Sequence, residues 1–293
     1  MQNRNAILLI FIASLTFLSC SKKTDEKLAA SSKKPDVEIR NFNMVYVEGG
    51  AFMMGNKKED DTFPHKVSLS DFYISDIEVT QELYSRIMKN NPSSLKYIGK
   101  NKPVNNITWY EAVEFCNKLS IQEGYETCYV IDGENTTCDF KANGYRLPTE
   151  AEWEFAARGG KKTNGYEYSG CPVDKLDDYG WCAVNSDCTD ELQEVAKKQP
   201  NELNIYDMSG NVDEWCWDWY DSNYYANSEK SNPSGPENKS LIVNNQIDKK
   251  TRVERGGNFE QPYYYCSVYY RSFYPPEITW EELGFRICRT KLD

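Results

Sequence analysis

The chain has 293 residues, 40% apolar and 27% charged, which is enough for one sizeable buried core. A formal net charge of −11, with no lysine and arginine cluster, sets the protein's own field against a phosphate backbone and excludes DNA or RNA as a partner. A single histidine, His65, rules out multi-histidine iron or zinc centres, and its place in an alternating Phe63-to-Leu69 stretch reads as a strand edge rather than the partner of a nucleophile.

Arg4 precedes the apolar run Ala6 to Leu18, which ends on Ser19-Cys20. This is the three-part layout of an export signal, and it is short for a membrane span. Its ending resembles a lipoprotein signal, in which Cys20 becomes the lipidated first residue and ties the protein to a membrane, at the outer membrane or the cell surface. The expected organisation is a signal over residues 1–20, a polar tether over 21–42 and one domain over 43–293. Ten cysteines in an exported chain imply disulfides, and with Cys20 carrying lipid the remaining nine cannot all pair within the chain.

Within the domain, Met44 to Gly55 reads as strand, glycine turn and strand, and Phe72-Tyr73-Ile74 adds another strand. Helices are expected from Thr80 to Met88, from Thr108 and from Thr149. The last two carry capping boxes with Glu111 and Glu152, and the second helix places Trp109, Ala112, Val113, Cys116 and Leu119 on one face. Gly159-Gly160 stops the third. Between the second and third, Cys128 and Cys138 stand symmetrically about Gly133 and are expected to bridge a hairpin. Beyond residue 160 periodicity is weak and Gly, Asn, Asp, Pro and aromatic residues dominate, so a loop-rich half is expected, with Cys182 bridged to Cys188.

Three separated segments recur in order: Gly144-Tyr145-Arg146-Leu147-Pro148-Thr149-Glu150-Ala151-Glu152-Trp153, then Tyr206-Asp207-Met208-Ser209-Gly210-Asn211-Val212-Asp213-Glu214-Trp215, then Arg255-Gly256-Gly257 through Gly284-Phe285-Arg286. Together they resemble the formylglycine-generating enzyme, or sulfatase-modifying factor, family. The resemblance implies an α+β fold, a variant of the C-type lectin fold with short strands and about three helices. It also implies Gly284-Phe285-Arg286 as a final core strand, and a bridge from Cys116 to a cysteine near the C-terminus, where Cys288 stands one residue from the expected place.

Catalysts of that family oxidise a substrate cysteine with copper(I) held by two thiolates. By position the second thiolate is Cys266, and the first is Gln261, whose neutral amide is a hard ligand that cannot replace soft sulfur. Copper and catalysis are therefore not expected, and Cys266 is a residual family position. The resemblance also implies a structural calcium ion held by the Asp207 and Glu214 side chains with the Gly210 and Val212 carbonyls. Exported relatives on this fold include variable proteins diversified by retroelements. The same segment here offers Asn258, Phe259, Gln261, Tyr263, Tyr264, Tyr265, Tyr269, Tyr270, Arg271 and Trp280 as a recognition surface for a protein or small-molecule ligand. The competing expectation is an oxidase acting on a sulfatase cysteine through Cys266.

Overall fold

The first strands pair otherwise than their order suggests. In the computed structural model, β1 (Met44–Val47) lies antiparallel to β4 (Phe72–Ser75), and β2 (Ala51–Met54) lies antiparallel to β3 (His65–Ser68). The two strands on either side of the glycine turn therefore form as expected but do not pair with each other. Gly49 supplies the reason, since a Cβ there would stand 2.3 Å from the Leu69 carbonyl oxygen. The chain crosses the Leu69–Asp71 backbone closer than a side chain permits and moves from one ladder to another. The structure describes residues 41–59, 61–183, 191–237 and 250–292, with the backbone of 242–243 and 246–247. The export signal, Cys20, the tether up to residue 40 and Cys188 lie outside them.

Helices α1 (Gln81–Met88), α2 (Trp109–Gln122) and α3 (Glu150–Ala157) start after Thr80, Thr108 and Thr149, and both capping boxes form. α2 buries the expected stripe and Phe115 besides. α3 is buried along its whole length, including Glu150, Glu152 and Glu154, so it must be met by cations from elsewhere.

After α2, β5 (Tyr129–Val130) and β6 (Thr137–Cys138) make a short ladder that sets Tyr129 opposite Cys138. Cys128 then lies across from Asp139, whose N–H donates to the Cys128 carbonyl at 2.8 Å. The pairing is thus one residue out of the register expected of a Cys128–Cys138 bridge, and both residues stand as thiols. Cys116 and Cys288 are thiols too, and the Cys116 thiol is pushed well up by burial and then by Cys128, Cys138 and Cys288 around it.

Two four-stranded sheets organise the rest. The first runs β1-β4-β14-β7, with β7 at Tyr145–Arg146 and β14 at Cys288–Thr290. The second runs β12-β11-β8-β13, with β8 at Asp213–Trp219, β11 at Arg252–Arg255, β12 at Ser272–Tyr274 and β13 at Leu283–Gly284. A small ladder of β9 (Ile242–Val243) and β10 (Gln246–Ile247) stands between β8 and β11 in sequence. Gly284-Phe285-Arg286 is not one strand: Leu283 and Gly284 run parallel to β8, Phe285 enters the core, and β14 is the last strand. One apolar cluster joins α1 and α2 to Trp215 and Phe285, and a second joins α3 to Phe72, Ile74 and Val253. Residues 39–293 form one unit. Among the described residues no helix is long and apolar enough to cross a membrane.

Candidate functional site

The two central strands of the second sheet carry charge inward, and the cations come from the C-terminal segments. Arg286 donates to both oxygens of Glu214, each at 2.6 Å, and the Trp153 indole adds a third donor at 2.8 Å. Arg255 reaches Glu154 at 2.8 Å, and Arg271 grips both oxygens of Glu150 at 2.6 and 2.9 Å. Arg255 and Arg271 thus answer the acidic face of α3, Arg286 answers Glu214 on β8, and the bidentate Arg271 and Arg286 pairs fix the segments after Gly256-Gly257.

At the edge of this sheet a cavity of about 320 Å³ opens where β8 begins. Asp213, Glu254, Glu260 and Glu282 face it, with the amides of Asn258 and Gln261. Tyr274, Trp280 and Leu283 complete the lining, in which no lysine or arginine takes part among the described residues. Asp213 is set by its place opposite Leu283, and Glu254 by its place in β11 opposite Ser272. The Asn258 amide nitrogen donates to Asp213 Oδ2 at 2.6 Å, and its Oδ1 accepts the Glu260 N–H at 2.9 Å.

Burial pushes the Asp213 carboxyl up to about 7, with Glu282 and Glu214 adding to it against the Asn258 hydrogen bond. Burial, then the Asp213 charge, raises Glu254 well above the carboxylate range, and the Ser272 hydroxyl is a polar group that eases it. Glu282 is raised by burial and by Glu260. Neither carboxylate oxygen of Glu254 has a hydrogen-bond partner of good geometry. Carboxylates crowd this cavity, and Lys96 acts on Glu282 from outside its lining.

Of the residues expected to form a recognition surface, Asn258, Gln261 and Trp280 line the cavity. Phe259 is 1% exposed and packs edge-on against Tyr97 at 5.3 Å. Tyr269 is buried with its hydroxyl donating to Glu167, and Arg271 is committed to Glu150, so these three serve the core rather than a ligand. Tyr263, Tyr264, Tyr265 and Tyr270 form a separate patch of touching rings, with Tyr263 and Tyr264 39% and 45% exposed, and none of the four lines the cavity. The expected continuous surface is thus two features joined by the chain at Gln261-Pro262.

Cys266 does not line the cavity either. It is fully buried, its sulfur 3.9 Å from the Asn258 carbonyl oxygen, and a Cβ at Gly257 would stand only 2.7 Å from that sulfur. Gly257, at φ 67°, is therefore needed both for its backbone conformation and for the close approach. The expected lone thiol has company, since Cys171 and Cys182 share its buried cluster with Tyr168 and Leu176. Burial pushes the Cys171 thiol up to about 12, which opposes its ionisation as a metal ligand.

A two-thiolate copper site does not fit the cavity, where Gln261 and carboxylates stand instead of sulfur. The calcium expectation meets a different obstacle. Glu214 gives both oxygens to Arg286 and one also to Trp153, while Asp207 Oδ2 accepts the Ala196 N–H at 2.7 Å. A protein guanidinium already neutralises the carboxylate that the ion would need, so the four expected donors do not fit a calcium ion as arranged. Among the described residues no group of three or more His, Cys, Asp or Glu side chains is placed to hold a metal ion.

Comparison with known proteins agrees with this architecture. The chain is 35% identical over 293 residues to the chaperone protein LppX of Paenibacillus barcinonensis, covering 90% of this chain and 95% of that one. It is 35% identical over 165 residues to the formylglycine-generating enzyme of Streptomyces coelicolor, covering 51% of this chain and 48% of that enzyme. Among solved structures, Treponema denticola variable protein 1 superposes with a TM-score of 0.75 at 34% identity, over 85% of this chain and 95% of that one. Residues 29–291 match the sulfatase-modifying factor enzyme 1-like domain, and the chain belongs to that family.

Proposed function

We propose that the protein is an envelope-anchored lipoprotein that binds a protein or small-molecule ligand on a formylglycine-generating-enzyme scaffold without the family's oxidation chemistry. One observation carries the reading: among the described residues the cavity beside Gln261 is lined by carboxylates, amides and aromatic rings and by no sulfur, while Cys266 is sealed beneath Gly257. The names of two relatives, a chaperone and a variable protein, support binding as the activity. Cys20 would carry the lipid, and the tether would hold the domain clear of the membrane.

The alternative, a copper-dependent oxidase acting on a sulfatase cysteine, draws on the company of Cys171 and Cys182 around Cys266. Copper(I) titration of the export-mature chain separates the two. Binding predicts no stoichiometric thiolate complex and no oxygen uptake with a cysteine peptide. A one-to-one complex lost in Cys266→Ser, together with oxygen uptake, would overturn it. The anchor has its own readout: the full chain is expected to incorporate labelled palmitate in a bacterial host, and Cys20→Ser to incorporate none. Equal labelling of both would remove Cys20 as the anchor.

A further inference from the structure

The cavity is strongly acidic and yet is not built for a metal ion. We infer that it takes its ligand through a monovalent organic cation, an ammonium group, seated between the Glu254 carboxylate and the rings of Trp280 and Tyr274. This rests on the binding reading above and names the chemistry of the same site.

Glu254 is the main argument. It is fully buried, faces the cavity, and leaves both carboxylate oxygens without a hydrogen-bond partner of good geometry. Such a group is costly to bury unless something supplies donors and charge. An ammonium brings both, releasing the proton that burial otherwise keeps on Glu254, and charge-assisted hydrogen bonds to the resulting carboxylate are the strong kind. Asp213, Glu260 and Glu282 surround the same space, so a cation relieves their mutual repulsion while an anion would add to it.

The rings argue for an organic cation. Trp280 and Tyr274 stand 5.9 Å apart with planes inclined at 54°, an open aromatic corner beside the carboxylates. An alkylammonium places its charge over such faces and its methylenes against them. A bare divalent ion makes no use of rings, and the carboxylates do not converge as its ligands: among the described residues no group of three or more is so placed. The volume of about 320 Å³ lies at the small end of ligand sites and suits one amine-bearing side chain or one small amine.

The test is calorimetric titration of the export-mature chain with n-butylammonium and with Nα-acetyl-lysine N-methylamide, using 1-butanol and the Nε-acetylated lysine derivative as neutral controls. Saturable binding of an ammonium probe and none of the neutral controls is expected. Glu254→Gln and Trp280→Ala should each weaken binding by about tenfold. Trp280 is 48% exposed, so its variant reports on the site even if the buried Glu254 variant folds poorly. Tighter binding of the capped lysine assigns the ammonium to a protein side chain, and tighter binding of butylammonium assigns it to a free amine. The inference is overturned if neither ammonium probe saturates, if a neutral control binds equally, if Trp280→Ala has no effect, or if calcium chloride competes at stoichiometric concentration. Such a result leaves the binding function standing as long as the copper(I) titration shows no thiolate complex, so the two failures are told apart.

Discussion

Arg286→Leu is expected to lower the melting temperature by about 10 °C. Its guanidinium is the direct partner of the buried Glu214 carboxylate and also donates to the Ser75 and Tyr206 carbonyls at 3.1 and 3.0 Å. Removing it leaves Glu214 without that cation close to Glu78, itself raised well above the carboxylate range by burial and by Asp207. Breaking one side of a buried pair costs roughly 3–5 kcal/mol, because the surviving charge stays desolvated. Combining Arg286→Leu with Glu214→Gln should recover part of the loss, since no buried charge is then stranded at that position. Calorimetric melting of the three variants checks this, and a fall below about 3 °C for Arg286→Leu would mean that the pair does not hold the sheet.

The second large effect is on pH. Asp213 is raised from 3.8 to about 7, so the folded state holds a proton there that the unfolded chain has released. Its contribution is complete below the unfolded value and is lost as pH rises through about 7, and Glu254 and Asp218, both raised by burial, act in the same direction. Glu150, like Glu167 and Asp71, acts in the opposite direction. Burial pushes it up, but Arg271 and Arg255 outweigh burial and hold it below the usual range, so its contribution fades only at acid pH. The expected result is a protein more stable at pH 5 than at pH 8, with Asp213 accounting for roughly 3 kcal/mol of the difference. Asp213→Asn keeps an oxygen to accept from Asn258 and should flatten the slope. Urea unfolding at both values measures it, and a variant with the wild-type slope would clear Asp213 of the effect.

How much of this was legible in the sequence depends on how local the determinant is. Helix starts were readable because Thr108 with Glu111 and Thr149 with Glu152 settle the matter within four residues. Strand partners were not, because the exchange of β1 and β2 between ladders depends on Gly49 meeting Leu69 and Asp71 about twenty residues away. The Cys128 and Cys138 spacing suggested symmetry, and the ladder is offset by one residue. The Gly256-Gly257 motif located the site and gave Asn258, Gln261 and Trp280. Glu254 escaped notice because Arg252-Val253-Glu254-Arg255 has three charged residues in four and looks like an exposed strand. Only the assembled sheet, with tryptophan rings stacked on Arg252 at 3.5 and 3.7 Å and carboxylates answering Arg255, makes that strand an interior one.

The position of β14 has a consequence for assembly. Residues 288–290 lie between β4 and β7, so the first sheet keeps a gap in its middle until those residues have been made. A nascent chain can build α1 and α2 early, yet β4 must wait with one edge bare for a strand some two hundred residues downstream. Until β14 arrives, the bare edge of β4 is open to pairing with other chains, which makes it the place where a growing chain is most exposed to aggregation.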